Sequence, residues 1–231
     1  MKLVSLESIN TAPSMFGATA FSPASIPTIA LDLRADAGVT HVAGVVSEWA
    51  DQSGNGRHAG QTLEAKKPAY VTENGKPMLL FDGVDDFLLS SVSLGTTSTV
   101  FVVIKLAAFN CIPLGGDVGD YALYVYTTTV LMAAGGNQAS AAHGMTAGQT
   151  VILGISRNNT SVQFWKNGTR LGSAQALAAN APLNLTRIGQ YGSGVYTVNG
   201  YIGDVIMYQA ALSDSQIGSV FSWLNGRYGV Y

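Results

Sequence analysis

Between Ile29 and Tyr208 the apolar residues come in short runs, many of them bounded by Gly, Asn, Asp or Ser, and they sustain no helical period. Short apolar runs bounded by turn residues are the pattern of β-strands. Twice the break is Asn-Gly. Asn74-Gly75 separates Ala69 to Thr72 from Met78 to Phe81, and Asn167-Gly168 separates Val162 to Lys166 from Thr169 to Leu171. Both central residues of a two-residue hairpin turn need positive φ, which Gly and Asn tolerate, so each pair predicts a hairpin. In the second, Val162 and Phe164 should face one way and Gln163 and Trp165 the other. Strands are also predicted at Ile29 to Leu33, Val45 to Ala50, Tyr121 to Tyr126, Val130 to Ala134, Leu185 to Ile188 and Tyr201 to Tyr208. Thr99 to Leu106 and Val151 to Ile155 are almost continuously apolar, as strands covered on both faces are. About a dozen strands at this spacing predict a two-sheet antiparallel sandwich. The 231 residues suit one large all-β domain, and 27 glycines supply its turns.

One helix is predicted, near Ser213 to Asn225. Ser213 can cap it and Gln216, three residues on, completes a capping box. Leu212 and Ile217 form a hydrophobic staple. Ile217, Val220, Phe221, Leu224 and Tyr228 then make one apolar stripe, while Gly226 weakens the last turn. Residues 1–28 read differently: Pro13, Pro23 and Pro27 lie among small polar residues and scattered apolar ones. This segment is expected to be an extended N-terminal arm, with a first edge strand as the alternative, and residues 29–231 the sandwich.

Several function classes are excluded by composition. With 12 Lys and Arg against 14 Asp and Glu, and Lys66-Lys67 the only adjacent basic pair, the chain lacks the basic face of a nucleic-acid binder. No apolar run reaches the roughly 18 residues of a membrane span. The N-terminus, interrupted by Glu7 and Asn10, is a poor secretory signal. Cys111 is the only cysteine, sits in an apolar stretch, and reads as a small buried hydrophobe.

Five motifs in order resemble the laminin-G-like branch of the concanavalin A-like lectin/glucanase jelly rolls. They are Trp49-Ala-Asp51-Gln-Ser53-Gly54-Asn55-Gly56; Phe81-Asp82-Gly83-Val84-Asp85-Asp86-Phe87-Leu88; Phe164-Trp-Lys-Asn167-Gly168; Arg187-Ile188-Gly189; and Gly200-Tyr-Ile-Gly203-Asp204 running to Tyr208, followed by Ala211-Leu212-Ser213. The resemblance covers about residues 28 to 228. It implies a jelly-roll sandwich closed by a strand and a helix, in a fold that serves lectins, glycosidases, adhesion modules and virus structural proteins alike.

Glycosidases of this fold need two carboxylates flanking the scissile bond. The chain has four glutamates, Glu7, Glu48, Glu64 and Glu73, none with an acidic partner at strand spacing, so no catalytic residues and no enzyme activity are expected. His41, His58 and His143 are too far apart in sequence for a typical zinc pair. Asp82, Asp85 and Asp86, with Asp51, could hold a cation, and related domains often carry calcium. The alternative is a turn in which carboxylates accept from backbone amides. The other ligand candidates are polar, aromatic loops: Asp117 and Asp120; Asn137 and Gln138; Tyr191 and Tyr196. Such loops pair an aromatic face with fixed polar groups, as sugar sites do.

Two functional expectations follow. The first is a non-enzymatic bacteriophage virion component, a head-decoration or tail-associated jelly roll. It would be made in a host cytoplasm, would form a homo-oligomer or meet other virion proteins through the arm, and could touch surface glycans. The second is an extracellular bacterial carbohydrate-binding module or lectin. Neither calls for a cofactor.

Overall fold

The computed structural model describes residues 21–116 and 119–231. Eighteen strands and one α-helix are present among them. In chain order they are β1 (Ile29–Leu33), β2 (Val39–Val42), β3 (Val45–Trp49), β4 (Ala59–Gly60), β5 (Ala69–Glu73), β6 (Lys76–Asp82), β7 (Leu88–Gly95), β8 (Thr97–Leu106), β9 (Cys111–Gly115), β10 (Tyr121–Val125), β11 (Thr129–Ala134), β12 (Asn137–Ala142), β13 (Thr150–Asn158), β14 (Ser161–Lys166), β15 (Thr169–Arg170), β16 (Gln175–Ala176), β17 (Leu183–Ile188), β18 (Asn199–Tyr208) and α1 (Asp214–Tyr228).

Every pairing is antiparallel, and the strands form two layers. In the first, β18 pairs with β8 along one side and with β6 and β1 along the other; β13 and β14 follow β8, and β5 follows β6. The second runs β2, β3, β4, β7, β17, β9, β10, β11, β12. The Val45–Ala69 pair between β3 and β5 joins them. The chain is thus an all-β antiparallel jelly-roll sandwich with one C-terminal helix.

Alternation along β8 explains its continuous apolar sequence. Val100, Val102 and Ile104 enter the core between the layers, where they meet Val92, Leu114, Leu123 and Leu185. Phe101 and Val103 point the other way, into a second core under α1 with Ile217, Val220, Phe221 and Leu224. The Trp165 hairpin divides as expected: Val162 and Phe164 lie in the first core and Trp165 in the second. Both Asn-Gly turns take positive φ, 51° and 75° at Asn74-Gly75 and 50° and 77° at Asn167-Gly168.

Helix α1 begins with the expected capping box: Gln216 N–H donates to Ser213 Oγ and Ser213 N–H to Gln216 Oε1. It runs past Asn225 to Tyr228, beyond the expected end. Gly226 is tolerated because the last turn is tied down. Arg227 donates to Asp204 (2.6 Å) and Asp36 (2.6 Å), and the Tyr228 hydroxyl donates to Asp204 (2.7 Å). Gly229, at φ 63°, then closes the helix with a left-handed cap. Of the expected arm, residues 1–20 lie outside the described residues. From Phe21 to Thr28 the chain packs on the second core, with Ile26 buried and the Tyr208 hydroxyl donating to the Pro23 carbonyl.

The two layers differ on their outer faces. That of the first layer is roofed by α1. That of the second is open, and β7 shows it: Leu88, Ser90, Val92 and Leu94 are buried while the residues between them are not.

Candidate glycan-binding face

On that open face lies a cluster of tyrosines, built on a third, small apolar cluster of Ile112, Tyr121 and Ala133 against which Tyr124, Leu131 and Tyr191 pack. Tyr121 and Tyr124 are both on β10, three residues apart, and a regular strand would send them to opposite faces. Here the register against β11 slips. Tyr121 faces Ala133 and Tyr124 faces Leu131, three steps on β10 against two on β11. This bulge puts both rings outside. Tyr191 and Tyr196, from the loop between β17 and β18, extend the cluster, as does Tyr126 just past β10. Ring centroids are 5.6 Å apart for Tyr121–Tyr124, 6.4 Å for Tyr121–Tyr191, 5.7 Å for Tyr124–Tyr126 and 5.1 Å for Tyr124–Tyr196. Tyr121 is buried beneath the others, Tyr124 and Tyr191 are partly exposed, and Tyr126 and Tyr196 are 47% and 42% exposed.

Among the described residues, the side chains that bond these rings are neutral. Gln138 bonds the Tyr121 hydroxyl, Tyr124 donates to Asn110 Oδ1, and Ser140 sits opposite Leu131 on the same face. Burial pushes the Tyr121 and Tyr124 hydroxyls up to about 12, with the neighbouring tyrosines adding to it. Tyr196 holds φ 57°. A bulky residue in the left-handed region costs about 1–2 kcal/mol, which glycine would avoid. The strain is spent on an exposed ring.

The structure sorts the sequence candidates. It brings Tyr191, Tyr196 and Gln138 together on this face. Asp117 lies outside the described residues. Asp120 is buried and accepts from Gly135 N–H (2.7 Å) through one oxygen and Asn184 N–H (3.0 Å) through the other, so it ties loops together. Asn137 and Gln138 open strand β12 rather than sitting in a loop; the sequence Asn-Gln-Ala-Ser-Ala-Ala carries little strand signal, and pairing with β11 imposes the conformation. The Asn137 amide donates across its own turn to the Ala134 and Gly135 carbonyls. Tyr121 closes the candidate loop from Asp117 and opens a predicted strand, whereas Tyr124 and Tyr126 read from the sequence as strand residues alone, because the face they share with Tyr121 depends on a bulge that sequence periodicity does not show.

The carboxylates of Asp82, Asp85 and Asp86 lie within 4.8 Å of one another. Asp82 Oδ1 accepts from Val84 N–H (2.8 Å) and Asp85 N–H (3.3 Å), and Asp86 Oδ2 from Asp82 N–H (2.9 Å). This is turn chemistry, and it leaves few oxygens for an ion that wants six to eight. Burial raises Asp86 to about 6, and the charges of Asp82 and Asp85 add to the shift. Asp51 is elsewhere, in the turn after β3 and beside Asp32 of β1, where its oxygens accept from Asp32, Ser53 and Arg57 amides and the Ser53 hydroxyl.

Cys111 faces the core, and burial pushes its thiol up to about 12. The histidines serve locally: His58 accepts from Asp51 N–H, and His41 stacks on Tyr70 at 4.7 Å. Among the described residues no helix is long and apolar enough to cross a membrane.

No protein-family model matches the chain, and no curated protein matches it in sequence. Solved structures do. Domain 4 of AbnA, a GH43 extracellular arabinanase from Geobacillus stearothermophilus, in complex with arabinotriose, superposes with a TM-score of 0.57 at 16% identity, over 84% of this chain and 98% of that one. The botulinum neurotoxin serotype D ligand binding domain in complex with N-acetylneuraminic acid gives 0.61 at 13%, over 87% of this chain and 53% of the other. Trypanosoma rangeli sialidase gives 0.54 at 14%, over 84% and 32%. The chain therefore spans nearly all of the arabinanase domain but about half of the toxin domain and a third of the sialidase. These likenesses establish the fold, and they lend no support to the virion expectation.

Proposed function

We propose that this chain is a non-catalytic carbohydrate-binding domain that holds a glycan on the tyrosine face of its open layer. The observation that carries the reading is Tyr196, kept in a strained backbone conformation with its ring exposed beside Tyr124. Rings that present flat faces to solvent and hydroxyls and amides at their edges suit a sugar, whose C–H face packs on the ring while its hydroxyls bond the rim. Two structural neighbours, the arabinanase domain and the toxin domain, are held in complexes with saccharides, which agrees with this reading. The absence of paired glutamates in the sequence speaks for binding without turnover.

The test is a broad glycan array probed with the wild-type chain and with Tyr124→Ala, beside a reducing-end assay on the same glycans. Retention of a defined glycan set by the wild type, its loss in the variant and no release of reducing ends are expected. Binding that Tyr124→Ala leaves intact, or turnover, would overturn the proposal.

A further inference from the structure

Resting on that reading, we infer that the ligand is an uncharged glycan chain, contacted over several consecutive sugars, rather than a sialic-acid-type or other anionic sugar held at a single terminal unit. Two observations carry this, one electrostatic and one geometric.

Among the described residues, guanidinium and ammonium groups lie over Trp165, Trp223, Phe87, Tyr201 and Tyr228, and none lies over the five tyrosines of the face. The groups that act on Tyr121 and Tyr124 are other tyrosines and Gln138. Arg187, which pairs with Gly115 beside Tyr121, is the cation closest in register. Its Nη1 donates to Gln190 Oε1 (3.1 Å) and its guanidinium lies 4.6 Å from the Phe87 ring centre, so it is already engaged. A carboxylate laid on this face would lose water and meet no cation over the rings among the described residues, a cost that a neutral hydroxyl does not incur. Asn110, Gln138, Ser140 and the tyrosine hydroxyls offer neutral donors and acceptors instead.

The geometric observation is continuity. Tyr191, Tyr121, Tyr124 and Tyr126 form one chain of ring contacts along the sheet, with Tyr196 flanking Tyr124. They stand on an open sheet face, so a polymer can cross it and leave at both ends. Tyr121 lies buried beneath the row, while Tyr191, Tyr124, Tyr126 and Tyr196 reach the surface, so a longer chain meets more of these four rings and affinity should grow with chain length.

The experiment is calorimetric titration of the full chain with two matched series. One holds neutral arabino-, xylo- and gluco-oligosaccharides from mono- to hexasaccharide. The other holds oligogalacturonates of the same lengths and sialyllactose. The inference expects neutral ligands to bind more tightly as they lengthen, acidic ones to bind at least about tenfold more weakly, and affinity to stay constant between about 20 mM and 500 mM salt. The variant Tyr126→Ala removes an exposed ring at the end of the row without touching the core. It should weaken the longest neutral ligands and leave the shortest unchanged. Acidic ligands that bind as well as neutral ones, or affinity that falls with salt, would overturn the charge half of the inference while the glycan reading stands. Monosaccharides that bind as well as hexasaccharides would overturn the chain half. If no saccharide of either series bound, the glycan reading itself would fall.

Discussion

At the residue scale, Tyr196 separates function from stability. Replacing it by glycine removes a left-handed strain of about 1–2 kcal/mol. It also frees the unfolded chain by about 0.4–1 kcal/mol and loses a ring contact with Tyr124 of about 0.5–1.5 kcal/mol. Tyr196→Gly should therefore melt within a few degrees of the wild type while glycan affinity falls about tenfold, the usual cost of truncating an interface aromatic. Parallel melting and binding curves check this. Two titrating groups act in opposite senses. Asp86, raised to about 6, binds its proton more tightly folded than unfolded. Its contribution is complete below the ordinary carboxylate value near 3.9 and is lost as pH rises through about 6. Asp86→Asn, which mimics the protonated form and keeps an acceptor for Asp82 N–H, should melt above the wild type at pH 7–8, with the gap closing below about pH 4. His143 runs the other way. Its ring is buried; Met145 N–H donates to Nδ1 (2.8 Å), so Nε2 carries the proton and donates to the Tyr126 carbonyl (3.1 Å). Burial lowers its pKa, so acidification below about 6.5 protonates the unfolded state first and destabilises the fold. In the Asp86→Asn background, melting temperature should fall from about pH 7 to pH 5, and a flat profile would contradict the assignment.

At the element scale, sequence and structure agree where local chemistry decides. The Asn-Gly hairpins, the Ser213 cap and the two-sided burial of Thr99 to Leu106 were all readable, since each depends on residues close in sequence. Gly154 shows the next layer of information. It lies mid-strand in β13, where glycine is a poor choice, because a Cβ there would sit 2.8 Å from the Phe221 ring of α1. Gly154→Ala should cost about 1–3 kcal/mol by overpacking, measurable by denaturant unfolding, and a smaller Leu in place of Phe221 should recover part of the loss. The bulge in β10 was not readable: it arises from the register of β9 and β11 against β10, and no local signal announces it. Strand β12 was missed for the same reason. Tyr191 and Tyr196 could be picked from their loop, whereas Tyr121, Tyr124 and Tyr126 needed the fold to reveal that they share a face.

At the scale of the whole molecule, the two layers have different work. The first is sealed by α1, its buried Asp204 saturated by Ala35, Arg227 and Tyr228. The second turns a face to solvent and concentrates aromatic rings there. The sandwich was legible in the sequence; the candidate ligand residues were sought in separate loops, because loop composition is visible in a sequence and a sheet face assembled from β10, the segment after it and a distant loop is not. The most direct measurement of the central claim is a map of ring resonances in a protein with labelled tyrosines, titrated with arabino-oligosaccharides and with the tightest neutral ligand from the calorimetric series. The account predicts shifts in Tyr124, Tyr126, Tyr191 and Tyr196 that saturate together, with Tyr70, Tyr201 and Tyr231 unmoved. Saturable shifts confined to the latter three would place the ligand elsewhere and contradict it.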